Sequence, residues 1–167
     1  MIAHPRLILL CGLPASGKTT LAQRMEQAWP VVRLCPDEWI ADLGIDPWDE
    51  VFRDHLERRF IRLALALLTL GQSVVLEYGF WWRAERDQRR AEARALGVPV
   101  DLYYLEAPVA DLWQHLHERN QRAVPGTVTI LRADLERFAS IFQPPDAAEL
   151  ALFDRAAVVH DARALPL

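Results

Sequence analysis

The stretch Leu7–Met25, LILLCGLPASGKTTLAQRM, decides how the chain is read. Its first five residues, Leu7 to Cys11, are an apolar run suited to a strand buried on both faces. The pattern G-x-x-x-x-G-K-[ST] follows, filled by Gly12, Gly17, Lys18 and Thr19, and Thr20–Ala28 then has the composition of a helix. Strand, glycine loop and helix in that order form a phosphate cradle. Glycines let backbone N–H groups converge on phosphate oxygens, and the helix N-terminus adds positive potential. The Lys ammonium reaches the β- and γ-phosphates, and the Thr hydroxyl ligates Mg²⁺. Pro14, Ala15 and Ser16 within the loop, and Thr20 after it, complete the residues expected to touch a nucleotide. Of the 19 lysines and arginines in the chain, Lys18 is the single lysine. A sequence otherwise committed to arginine keeps its one compact ammonium where a point charge must meet phosphates. The ligand expected here is a nucleoside triphosphate.

At 167 residues the chain suits one domain, residues 1–167, large enough to bury a real core. Hydrophobic content of 51% and charged content of 25% are those of an ordinary globular protein. A net charge of −4 argues against a general nucleic-acid binder, which carries a basic face. Cys11 and Cys35 fall in strand-like segments and read as buried thiols, not as a disulfide or metal site. The most apolar run, FIRLALALLTL, contains Arg62 and is too short to span a bilayer, so no membrane partner is expected. A cytoplasmic location is the expectation.

Beyond the loop, strand-like and helix-like segments alternate, which predicts a parallel sheet covered by helices on both faces. Expected strands are 7–11, 31–35, 73–77, 100–105 and 156–160. One long helix is expected to open with Asp46 as its cap and Pro47 in first position, closing at Gly71. Others run through RAERDQRRAEARALG, through APVADLWQHLHERN from Pro108, and through TVTILRADLERFASIFQPP from a Thr cap. The fold class is therefore α/β, a three-layer α/β/α domain with a mainly parallel sheet of about five strands.

Open α/β sheets bind ligands beyond the carboxyl ends of their strands, which selects the residues to weigh. Asp37 follows the second strand and reads either as a helix N-cap or as a general base aimed at an acceptor hydroxyl. Glu77 closes an apolar strand and suits a water-mediated Mg²⁺ partner or an acceptor ligand. Arg119 and Arg122 stand where a helix breaks into AVPGT. They read as dipole-complementing charges or as arginines of a lid, about 119–128, that cover the transferring phosphate. Trp39 and Trp81 divide between core packing and the wall of an acceptor pocket, while Trp29, Trp48 and Trp113 read as packing. Arg86, Arg90 and Arg94, interleaved with acids, read as a solvated helix face. His115 and His117 point to different helix faces, which argues against zinc.

With these blocks in place, GLPASGKTT, PDEW, LEYGFWWRAERD, ERNQRAVPGT and FASIFQPPD, nearly the whole chain resembles a group of small P-loop kinases. The group comprises the polynucleotide kinases, chloramphenicol phosphotransferases and gluconate kinases. The chain is also similar to the stand-alone predicted kinases labelled AAA-family ATPases. The resemblance implies ATP and Mg²⁺ as cofactors, Asp37 as general base and Arg119 and Arg122 as lid arginines. Two departures stand out: the acid after the third strand is Glu77 where many relatives have Asp, and the lid is shorter than in polynucleotide kinases. Ring-forming AAA machines carry a C-terminal helical domain for which this chain has no room.

The expected activity is transfer of a γ-phosphate to a hydroxyl of a small molecule. The alternatives are a polynucleotide 5′-hydroxyl kinase, or a nucleotide-binding regulatory module without an acceptor. The acidic balance makes a salt prediction. Acceptor binding should change little with ionic strength, whereas a nucleic-acid acceptor would lose affinity steeply in proportion to the phosphates contacted. Acceptor affinity measured across a salt series separates the two.

Overall fold

Strand β1 (Leu7–Cys11) is buried along its whole length, because a strand flanked by two neighbours and covered on both faces must be apolar at every position. It is the middle strand of a computed structural model that describes residues 4–122 and 128–167. The sheet order is β2-β3-β1-β4-β5, all parallel, with β2 at Val31–Leu34, β3 at Ser73–Gly79, β4 at Val100–Leu105 and β5 at Arg155–Val159. Leu7 sits level with Val74 on one side and Val100 on the other. The register with β3 slips between Leu9 and Cys11, where both strands turn toward the loop that follows.

The helices are α1 (Lys18–Ala28), α2 (Pro36–Asp42), α3 (Glu50–Thr69), α4 (Arg83–Ala95), α5 (Val109–Gln121), α6 (Arg132–Ile141) and the short α7 (Ala147–Leu150). One sheet face is covered by α3 and α4: Phe60, Ala64 and Leu68, four apart on α3, pack with Ala93 of α4 on Leu9, Val74 and Leu102. The other face takes α1 through Leu21, Ala22 and Met25, with Ala162 beside them. A third cluster joins Leu13 of the loop to Leu112 and Leu116 of α5 and Leu135 of α6. This is the three-layer α/β/α arrangement that the alternation predicted.

Several local expectations are corrected. The long helix is capped by Asp49, whose carboxylate accepts from the Phe52 N–H at 2.9 Å. Asp46 accepts from the Trp48 N–H and holds the turn before it. Either aspartate has capping chemistry, and the later start gives the turn at Pro47–Trp48 room. Helix α6 begins at Arg132 behind Leu131, so the threonine start fails; Thr127 itself lies outside the described residues. Trp48 is 48% exposed and does not pack in the core, whereas Trp29 and Trp113 do. Among the described residues, no helix is long and apolar enough to cross a membrane.

The largest correction concerns α4. Arg86 is not on a solvated face: it is fully buried and forms a fork with buried Glu149 of α7, at 2.6 and 2.9 Å. Its third nitrogen donates to the Phe80 carbonyl at 2.7 Å. Arg90 is half-buried over the Phe153 ring, and only Arg94 is well exposed. The i, i+4 spacing is the same for a wet stripe and a buried one. The partner that decides between them is 63 residues away.

Removing one member of a buried pair strands the other. Arg86→Ala should therefore destabilise the fold by about 3–5 kcal/mol, while Arg86→Met with Glu149→Leu should lose far less. Urea unfolding of the two variants checks this.

Candidate active site

The loop from Gly12 to Gly17 leaves β1 at the carboxyl edge and returns as α1. Gly12 has φ 154°, and a Cβ there would stand 2.8 Å from both the Leu105 carbonyl and Ser16 Oγ. Its N–H donates to the Gly79 carbonyl at 2.9 Å, so the loop starts pressed against the ends of β3 and β4. Ala15 is held at φ 62°, a left-handed position that a non-glycine residue adopts only when its surroundings enforce it. No side chain caps α1, so its first N–H groups are open toward the loop.

Within this turn the Lys18 ammonium donates to the Gly12 carbonyl at 3.0 Å and the Leu13 carbonyl at 2.7 Å. Burial pulls its pKa below the ordinary lysine value, and the charges of Glu77 and Asp37 oppose that pull. Ser16 Oγ is buried with no hydrogen-bond partner among the described residues. A buried hydroxyl without a partner calls for one. Open amides, an unused hydroxyl and an ammonium folded onto loop carbonyls together fit a phosphate group.

Thr19 and Glu77 meet next to the loop: the Thr19 hydroxyl donates to one carboxylate oxygen of Glu77. The other oxygen accepts from Arg33 Nη1 of β2 at 2.8 Å, and the Glu77 side chain is almost wholly buried. Arg33 also pairs with Glu38 at 2.6 Å, so the arginine that fixes Glu77 is itself held in place. A hydroxyl beside a carboxylate is oxygen-donor chemistry that suits Mg²⁺. Among the described residues no group of three or more His, Cys, Asp or Glu could hold a metal ion. A cation here would draw its other ligands from phosphate and water, as Mg²⁺ does in phosphoryl-transfer sites.

Asp37 is the second residue of α2, and Cys35 holds the cap position, so the N-cap reading is overturned. The Asp37 carboxylate is exposed and accepts from Arg53 Nη2 of α3 at 2.7 Å. Its charge opposes the lowering that burial causes at Lys18 and at Arg119. Arg53 also faces Glu57, one helical turn on, at 3.7 Å. Neither Arg53 nor Glu57 stood out in the sequence. Their spacing on a helix that follows the Asp37 segment was the available signal.

Arg119 is half-buried, and its Nη2 donates to the Val128 carbonyl at 3.2 Å. Asn120 donates to the Ile130 carbonyl, so the end of α5 is tied to the chain beyond residue 127. Arg122 is the exposed C-cap residue of the same helix. Of the expected lid, residues 123–127 lie outside the described residues. Trp81 donates through its indole N–H to the Gly12 carbonyl at 3.3 Å and packs on Phe138 at 4.9 Å, which makes it a support of the loop. Trp39 is 45% exposed and meets Phe60 edge-on at 5.0 Å. Pro14 is half-buried within the loop and Thr20 half-buried on α1. Cys11 and Cys35 are free and buried, and burial pushes both thiols up to about 12.

The parallel sheet with a glycine loop after its middle strand is the P-loop fold, shared with small kinases of known structure. Residues 7–145 match the AAA domain family, and the chain belongs to it. A curated relative, the shikimate kinase of Frankia casuarinae, is 29% identical over 123 residues; the match covers 66% of this chain and 48% of the relative. The chain therefore spans about half the length of that relative. Two solved structures share the fold. Chaetomium thermophilum Kti12 in complex with ADP-AlF3 has a TM-score of 0.68 and 17% identity, covering 92% of this chain and 88% of that one. A gluconokinase from Sinorhizobium meliloti has a TM-score of 0.63 and 17% identity, covering 95% and 85%.

Burial pushes the Glu57 carboxyl up to about 7, with Arg53 opposing and Glu85 and Asp37 adding to the rise. The folded chain thus keeps a proton that the unfolded chain releases from about pH 4.3 upward. This group's contribution to stability is fully present below that value and falls as pH rises toward 7. Glu57→Gln should remove that slope and raise stability at pH 8 by on the order of 1–2 kcal/mol, allowing for the partial exposure of the group. Denaturant titrations at pH 5 and pH 8 check it.

Proposed function

We propose that the protein transfers the γ-phosphate of a Mg²⁺-bound nucleoside triphosphate, ATP, to a hydroxyl of a small molecule. One observation carries the reading: Lys18, the Thr19–Glu77 pair and the free edge of Asp37 share one end of the sheet, within electrostatic reach of one another. The names of the shikimate kinase relative and the gluconokinase fold neighbour both point to small acceptors, and ADP-AlF3 in the Kti12 complex is a nucleotide ligand on this fold.

Lys18 exchanges its two loop carbonyls for phosphate oxygens, while the loop amides and Ser16 Oγ bind the remaining oxygens. The Thr19 hydroxyl would hold Mg²⁺ with Glu77 behind it. When bound, that ion neutralises charge on the β- and γ-oxygens. Asp37 orients the acceptor hydroxyl and takes its proton as the new O–P bond forms and the bond to the β-phosphate bridging oxygen breaks. Arg119 and Arg122 are assigned to the lid, stabilising charge that grows in the transition state.

Lys18→Ala should abolish turnover and weaken ATP·Mg²⁺ binding in a chain that still folds, as read by calorimetry. Asp37→Asn keeps shape but loses basicity. It should leave ATP affinity near normal and slow transfer by roughly 10²–10⁴, the reach of general-base catalysis. A chain that only holds a nucleotide has no use for Asp37. Parental transfer rates in Asp37→Asn would remove Asp37 from the general-base role.

A further inference from the structure

The charges on α3 and the aromatic residues beside them are not used by the phosphate chemistry. We propose that α3 forms the acceptor subsite, in which Arg53 and Glu57 bind a small polyhydroxylated molecule lacking phosphate or carboxylate groups, with Trp39 as its apolar wall. The proposal rests on the phosphotransferase reading and names its acceptor class.

Position comes first. Arg53 donates to Asp37 at 2.7 Å and faces Glu57 at 3.7 Å, so a line of polar groups leads from the proposed base onto α3. The Asp37 charge acts on Lys18 at one end and on Glu57 at the other. An acceptor bound along this line has a hydroxyl beside Asp37 and its far side against α3. Aromatic packing runs beneath α3 from Trp39. Trp39 meets Phe60 at 5.0 Å, Phe60 meets Tyr78 at 6.4 Å, and the Tyr78 hydroxyl donates to the Glu57 carbonyl at 3.2 Å.

Charge then selects the class. Arg53 is already paired with the Asp37 carboxylate at 2.7 Å, so its guanidinium has little charge to spare for an anion. Glu85, across on α4, adds further negative potential at Glu57. A carboxylate or phosphate ester arriving here would meet more negative than positive charge and would have to break the Arg53–Asp37 pair. A hydroxyl meets no such obstacle: it donates to a carboxylate and accepts from a guanidinium at once, bridging the 3.7 Å gap between Arg53 and Glu57. Glu57, held near its midpoint at neutral pH by burial, offers both a donor and an acceptor oxygen. Trp39, 45% exposed and on the same helix as Asp37, offers an indole suited to the C–H face of a ring polyol. An amine on such a molecule is compatible with this potential.

The test measures ADP release by the purified chain with ATP and Mg²⁺ against three acceptor sets. These are neutral and amine-bearing polyols (hexoses, inositols, aminoglycosides), hydroxy acids, and 5′-hydroxyl oligonucleotides. The expected result is turnover with a member of the first set, and in Glu57→Leu an acceptor KM raised about tenfold or more with the ATP KM within about twofold. Trp39→Leu should raise the acceptor KM about fivefold without touching the ATP KM. A preferred acceptor that is a hydroxy acid or an oligonucleotide overturns the subsite while leaving the kinase in place. So does an acceptor KM unchanged within about twofold in both variants. A chain that binds ATP·Mg²⁺ and phosphorylates nothing in the three sets overturns the phosphotransferase reading and this inference with it.

Discussion

The structure depends on how closely three backbones approach at the end of β1. Gly12 touches the Leu105 carbonyl, and its N–H is bonded to Gly79, so the ends of β4 and β3 form the walls of the turn that becomes the phosphate loop. A side chain at Gly12 would collide with backbone on one side and with Ser16 on the other. Backbone amides can converge on an anion only where nothing stands between them, and the loop is spaced for that. The central place of β1 in the sheet follows from the same requirement. A loop that must not yield is carried on the strand with most support, and Trp81 and Leu13 brace it toward α5 and α6.

Around this anchor the charges fall into two groups. Buried Glu77 has both carboxylate oxygens engaged, by Thr19 and by Arg33, which fixes its orientation. Asp37, Arg53 and Glu57 form a more exposed group. Buried groups cost desolvation and return orientation; exposed groups cost little and can exchange partners with a ligand. On the proposed function, the rigid group would serve the phosphates and the more exposed group the acceptor. The buried Arg86–Glu149 fork belongs to neither. It ties the turn after β3 to α7, and so supports from behind the edge on which Glu77 and Trp81 are carried.

The alternation of strands and helices was legible because a parallel sheet imposes runs of apolar residues at the strands and a 3.6-residue period on the helices. Strand β1 and strand β4 match their expected bounds, and β2, β3 and β5 differ only at their ends. Caps were less legible, since Asp46 and Asp49 have the same chemistry, and the choice depends on how α3 meets the sheet. Arg86 shows the limit most clearly. Its neighbours in sequence are charged and suggest water, yet it is among the most buried side chains of the chain.

By itself, the sequence determined the glycine loop after the first strand and the fold class, because each is written in residues close together along the chain. Only the tertiary structure decided which charges are paired. Glu77 with Thr19 and Arg33, Asp37 with Arg53, and Arg86 with Glu149 are separated by 58, 44, 16 and 63 residues. An ion pair's worth and its purpose depend on distance and burial, and local composition encodes neither across such separations. The role of a charged residue in this protein is therefore a property of its partner.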